Sequence, residues 1–205
     1  MKVVNNVWCA GVLSLISLSV VAADLGLSDA KIVNSPKYTE YAGVDDAVPQ
    51  SWAEVANALL FYKKGCPYYE FTNFYAAPIV IGSQVWPTSE HYYQAMKFTN
   101  TAIQDQIRAA PTAREAFEIG QQYRGNVRSD WKAISLTTMG YAVCEKFRQN
   151  SVLAALLLAT GTKVLIEDAK ANDSFFGAGA NYKGHNYLGR ILMLVRVMLG
   201  DNQAQ

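Results

Sequence analysis

An α+β fold, helix-dominated and built as a single domain with a small β-sheet, is predicted by three observations. The 205 residues are 51% hydrophobic and 17% charged, which suits one globular core. Near the C-terminus, Leu188, Ile191, Leu192, Val195, Met198 and Leu199 recur at i, i+3, i+4 and i+7, the spacing of a core helix. Strand candidates, by contrast, are few and short: residues 58–62, 79–81 and 164–166. The chain carries no internal repeat.

In chain order, Lys2 precedes an uncharged apolar run over 7–21, which ends in Val21-Ala22-Ala23 before Asp24. Small residues closing such a run fit a secretory signal peptide over 1–23, cleaved near Ala23. The run is short for a membrane span, which needs about 20 apolar residues. An uncleaved anchor or a buried strand is the alternative. Export predicts a secreted or periplasmic protein with no stable membrane association after cleavage.

Residues 24–57 read as an irregular N-terminal arm. They hold Asp24, Asp29, Glu40, Asp45 and Asp46, with Pro36, Gly43 and Pro49 between them. Ser51 can open a short helix over 52–57. The domain proper is expected over 58–200, with 201–205 as a tail. Its first strand, 58–62, runs into a turn marked by Gly65 and Pro67.

After the strand at 79–81, Pro87, Thr88 and Ser89 open a helix that either hydroxyl can cap. Two further helical pieces, 103–109 and 112–121, are separated by Pro111. Gly120 and Gly125 bracket a loop, and Asp130 can cap the next helix, whose Leu136, Met139, Gly140, Val143 and Phe147 share one side. Ser151 is placed to cap a helix over 152–159 that is apolar nearly all round and expected to be buried. A buried strand at 164–166 follows. Residues 172–189 are irregular and glycine-rich, and the last helix starts from Asn186.

The formal net charge is +1, and loss of Lys2 with the leader leaves 17 basic against 17 acidic groups. That balance gives no bulk attraction to nucleic acid or anionic membranes. Without Cys9, the mature chain keeps Cys66 and Cys144, whose pairing stays open. With only His91 and His185, no cysteine–histidine metal pattern exists, so neither a metal nor a cofactor is expected.

Chemistry concentrates in three places. Glu90, Gln94 and Lys97 form one polar stripe on a helix, readable as a ligand-binding face or as a solvated one. Lys183-Gly184-His185-Asn186 is a loop before a helix start, a setting that suits phosphate. The carboxylates Glu90, Glu167 and Asp173 fall in or beside irregular segments. Asp173 there reads equally as an Asx-turn former, and Trp131 as a core anchor.

Several blocks together are similar to one known family: Phe71-Thr72-Asn73-Phe74; residues 86–98, reading WPTSEHYYQAMKF; Trp131; Asn172-Asp173-Ser174-Phe175-Phe176-Gly177; and residues 184–193, reading GHNYLGRILM. The chain resembles the NADAR family over about 59–199. Known members include N-glycosidases of riboflavin-biosynthesis intermediates, and others remove ADP-ribose from guanine in nucleic acid. The resemblance implies a small-molecule phosphoribosyl or ADP-ribosyl substrate, or ADP-ribosylated nucleic acid.

Carried over residue by residue, it implies Glu90 as the leading catalytic carboxylate, and Lys97 as an imine former or phosphate holder. Asp173 would bind sugar hydroxyls or position water. Trp131 and Phe74 would supply aromatic walls for the base and Asn73 a hydrogen-bonding edge; Phe71, Phe176 and Gly177 would also bind substrate, and Gly184 and Asn186 would shape the phosphate-side loop. Phe176 stands where the family commonly has tryptophan, so stacking is kept and an indole N–H lost. The leader is the larger departure, since riboflavin intermediates are made in the cytosol. A rim of Arg124, Arg128 and Lys132 would serve a nucleic-acid substrate. A binding-only secreted module is the remaining alternative.

Overall fold

The computed structural model describes residues 51–203. The expected leader with Cys9, residues 24–50 of the arm, and residues 204–205 lie outside the described residues. Ser51 caps a single 3-10 turn, Trp52–Glu54, in place of the expected longer helix, because the chain is already extended at Val55.

Strand β1 (Ala58–Phe61) pairs in parallel with β4 (Val164–Glu167), from Ala58 against Val164 to Phe61 against Glu167. Strands β2 (Ile79–Ile81) and β3 (Gln84–Trp86) form an antiparallel hairpin, and Gly82 supplies the positive φ its turn needs. Among the described residues the strands therefore form two separate two-stranded sheets. The α+β, helix-dominated class holds.

Among the described residues there are six α-helices, three of which start from recognisable local signals. Helix α1 (Ser89–Ala95) is capped by Thr88, whose hydroxyl accepts from the His91 N–H. Asn100 caps α2 (Thr101–Arg108), and α3 (Ala113–Gln122) starts with a capping box between Thr112 and Glu115. Helices α4 (Trp131–Gln149), α5 (Ser151–Leu158) and α6 (Tyr187–Gln203) complete the set.

Three local expectations are corrected. Asn150, and not Ser151, occupies the cap position of α5, and that helix is not buried all round: Val152 is 79% exposed and only Leu153 and Leu157 are buried. Gly120 lies inside α3 instead of opening a loop. Asp130 stands at the start of α4, but its carboxylate is held by the Arg128 guanidinium and caps nothing.

Two apolar clusters meet along α4. Met139, Val143 and Phe147 join Phe61, Phe71, Leu165, Leu188 and Leu192 in one, while Ala142 joins Ile79, Trp86, Phe98 and Ile107 in the other. Helix α1 packs against α2, α3 and α4, so one side of it is apolar while Glu90 and Gln94 are buried on another. Lys146 is 1% exposed, and its ammonium donates to the carbonyls of Glu70 and Thr72. Cys66 is exposed and free, so it does not bridge to the buried Cys144. Among the described residues, no helix is long and apolar enough to cross a membrane.

Candidate active site

The parallel register of β1 and β4 sets two chain segments side by side: Tyr62-Lys63-Lys64 leaves β1 where Glu167 ends β4. A cavity of about 790 Å³ opens there, at the carboxyl ends of the strands. Its buried polar lining is Thr72, Asn73, Glu90, Gln94 and Glu167. Tyr69, Phe74, Tyr93, Phe117, Phe175 and Phe176 supply aromatic walls. Lys63, Lys64, Lys97 and Arg114 are its cations, and Asp173 a third carboxylate.

Glu90 is placed by its backbone. Its N–H donates to the Asn73 carbonyl at 3.2 Å, and Ser89 Oγ donates to Asn73 Oδ1 at 3.2 Å. The first turn of α1 is thereby tied to the aromatic segment preceding β2. Gln94, one turn on, donates from Nε2 to Glu90 Oε1 at 2.6 Å. Behind it stands Gly120 of α3: a Cβ there would fall on Gln94 Oε1, so glycine is what lets α3 approach this closely.

The electrostatics follow from burial. Glu90 is 5% exposed, and loss of solvent raises its pKa from 4.5 to about 7. The Gln94 hydrogen bond and the Lys97 charge oppose that rise, while Asp173 adds to it. Glu167, 7% exposed, is pushed further, to about 8, by burial and then by the charges of Asp173 and Glu90. Lys97 is lowered by burial against the pull of Glu90, and its ammonium lies 5.3 Å from the Tyr93 ring centre. Two carboxyls able to hold or release a proton near neutrality thus share a cavity with a cation, the equipment of general acid–base chemistry.

Asp173 performs the turn role: its Oδ1 accepts from the N–H groups of Phe175 and Phe176 at 2.7 and 2.9 Å. It also lines the cavity, so the same carboxylate orders both phenylalanines at the rim.

Of the residues expected at the site, Glu90, Lys97, Asp173, Asn73, Phe74 and Phe176 come together around this cavity. Five do not line it. Phe71 is fully buried, packed against Phe61, Tyr68 and Phe147, and is a core residue. Trp131 packs on Tyr93 with ring centres 5.0 Å apart, and it is Tyr93 that reaches the cavity. A Cβ at Gly177 would meet Ala169 Cβ and the Asp173 carbonyl, and one at Gly184 the carbonyls of Ser174 and Gly177, so both are packing glycines.

Asn186 is fully buried and joins β4 to α6, accepting from the Glu167 N–H and donating to the Leu165 carbonyl. Nor does the loop before α6 offer free donors to a phosphate: the N–H groups of Tyr187 and Leu188 already donate to Phe175 and Phe176. Likewise Arg124, Arg128 and Lys132 do not line the cavity, and Arg128 is paired with Asp130 at 2.6 Å. Cations come from Lys63, Lys64 and Arg114 instead, which only the β1–β4 pairing and the close packing of α3 bring near. Among the described residues, no group of three or more His, Cys, Asp or Glu is arranged to hold a metal.

The family model for the NADAR domain matches residues 60–200. N-glycosidase YbiA of Escherichia coli (strain K12) is 38% identical over 139 residues, covering 68% of this chain and 86% of that protein. An N-glycosidase of Nostoc punctiforme is 41% identical over 141 residues, 67% of this chain and 90% of its own length. A riboflavin biosynthesis protein of Vibrio vulnificus (strain YJ016) is 40% identical over 144 residues; the match covers 70% of this chain but only 39% of that longer relative. The NMR structure of E. coli YbiA superposes with a TM-score of 0.67 at 35% identity, covering 74% of this chain and 90% of that one.

Proposed function

The chain belongs to the NADAR family of N-glycosidases, and from that premise we propose that it hydrolyses the bond between a base and ribose 5-phosphate, as in riboflavin-biosynthesis intermediates. The observation that carries this reading is Glu90: a carboxyl buried inside an aromatic-walled cavity, hydrogen-bonded to Gln94, with Lys97 nearby. Cleavage develops positive charge at the ribose C1′ as the base nitrogen departs. Ionised Glu90 would stabilise that charge and take a proton from the incoming water. The base would lie against Phe74 and Phe176, with Asn73 at its edge. Asp173 would face the ribose hydroxyls, and Lys63, Lys64 and Arg114 the phosphate. Lys97 would hold Glu90 in its charged form, or form an imine with an opened ribose aldehyde.

A second reading is release of ADP-ribose from guanine in nucleic acid. It is favoured by one feature: Phe175, 41% exposed at the cavity, continues into the stacked rings of His185 and Tyr187 outside it. That surface could carry the far half of a larger ligand. A binding-only module has no use for two buried carboxyls beside an anionic ligand.

Offering the protein a phosphoribosylamino-pyrimidine and ADP-ribosylated guanine side by side tests the choice. Free base and sugar phosphate from the first is the expected result. Turnover of the second alone would favour the larger substrate, and turnover of neither would refute the enzymatic reading.

A further inference from the structure

Glu167 ends β4 and lies outside the roles assigned above to Glu90, Lys97 and Asp173. It is nine-tenths buried yet lines the cavity, and its Oε2 is shielded from solvent with no hydrogen-bond partner among the described residues. Its backbone is held on both sides. The N–H donates to Asn186 Oδ1 at 2.9 Å, and the carbonyl accepts from the Ala178 N–H at 2.9 Å. Asn186 is itself anchored to the Leu165 carbonyl at 2.9 Å. A strand end fixed this firmly, carrying into the cavity a buried carboxyl oxygen that none of the described residues satisfies, is suited to partner a bound molecule.

We propose that Glu167 is the general acid of the reaction, giving its proton to the departing base nitrogen while Glu90 acts as the carboxylate at C1′. This assignment rests on the N-glycosidase reading. The two carboxyls are set apart by their neighbours. Glu90 has the Gln94 amide and the Lys97 ammonium to favour its charge. Glu167 has neither, and faces the charges of Glu90 from α1 and Asp173 from the 172–176 loop. From the other packed elements, Lys63 and Lys64 line the same cavity beyond β1, and on α6 Arg190 lies over the rings of Trp52 and Tyr187. These surroundings favour the charged form at Glu90 and the protonated form at Glu167.

The step balances. The C1′–N bond breaks with its electron pair going to nitrogen, and nitrogen takes the proton of Glu167. Water oxygen bonds to C1′, and its proton passes to Glu90. The products are free base and ribose phosphate. Transfer of one proton from Glu90 back to Glu167, directly or through solvent, restores the starting state.

The test compares wild type with Glu167→Gln on two phosphoribosylamino-pyrimidines. One is unsubstituted; the other carries a nitro group, so its nitrogen can leave without being protonated. The variant should lose about 10²- to 10⁴-fold in kcat on the first substrate and less than about tenfold on the second. The alkaline fall in wild-type kcat/KM on the first substrate, set near the Glu167 pKa of about 8, should vanish in the variant. Equal losses on both substrates, or unchanged turnover, would overturn the assignment while leaving the glycosidase intact. Wild type inactive on both would overturn the phosphoribosyl-substrate reading and this assignment together. Should Glu167→Gln fail to fold, the wild-type profiles decide: an alkaline fall on the unsubstituted substrate alone supports the general acid, and the same fall on both refutes it.

Discussion

Replacing Glu90 by Gln removes one buried ionisable group while keeping an oxygen to accept from Gln94 Nε2. The stability change can be worked from the environment. Burial lifts the native pKa from 4.5 to about 7. At about 1.4 kcal/mol per tenfold change in proton affinity, this corresponds to at most about 3 kcal/mol. The native pKa lies above the unfolded one, so the native state binds more protons across this window. The associated stability is complete below pH 4.5 and is lost as pH rises through 7. Glutamine carries no such dependence. The advantage of Glu90→Gln over wild type should therefore grow by about 3 kcal/mol between pH 4.5 and 8. With about 2 kcal/mol per molar urea for a domain of this size, the unfolding midpoint should gain about 1–2 M relative to wild type. Turnover should fall about 10²- to 10⁴-fold in the same variant. A stability difference that does not change with pH, or turnover left intact, would refute the reasoning.

Lys97→Met should lower turnover, and borohydride trapping of wild type with substrate separates the two roles: a covalent adduct means an imine, none means charge support for Glu90. Gly120→Ala should displace Gln94 from Glu90 and lower kcat about tenfold, at a cost of about 1–3 kcal/mol; full activity with the small gain expected of an unhindered helix position would contradict the close approach. Lys146→Met removes the side-chain donor to the Glu70 and Thr72 carbonyls, of which Thr72 keeps the Tyr75 N–H, and should destabilise the fold by about 1–3 kcal/mol in urea titrations. Because burial depresses the Lys146 pKa from 10.5 to about 7, wild-type stability should rise with pH across that window, and the variant should lose the rise. For the proposed export, protein recovered outside the producing cell should begin near Ala23 or Asp24 by N-terminal sequencing; a start at Met1 would contradict cleavage.

Local signals served best where the physics is local. The Thr88 cap, the strand at β1, the Gly65 turn and the apolar face of α6 depend on neighbours within a few residues, and each was legible. So was the placing of Glu90 and Gln94 one turn apart on a helix; Lys97 corrects the expected stripe, since α1 ends at Ala95 and the turn beyond it carries Lys97 to the same cavity. Tertiary packing decided the rest. Nothing in the spacing says that β1 pairs with β4 across a hundred residues, and that pairing alone brings Lys63, Lys64 and Glu167 to one cavity. Glycines 177 and 184 look like phosphate-loop glycines in sequence, yet their work is close backbone packing. Phe71 and Asn186 mislead similarly: motif residues that build the site's scaffold carry the same sequence signal as those that touch a ligand.

Carbon-13 NMR of the glutamate side-chain carboxyls, assigned by comparison with Glu90→Gln and Glu167→Gln, tests most directly whether the cavity holds protons near neutrality. Glu90 should titrate near pH 7 and Glu167 near pH 8. Midpoints near 4.5 for both would show solvated carboxylates and remove the acid–base pair on which the proposed reaction depends.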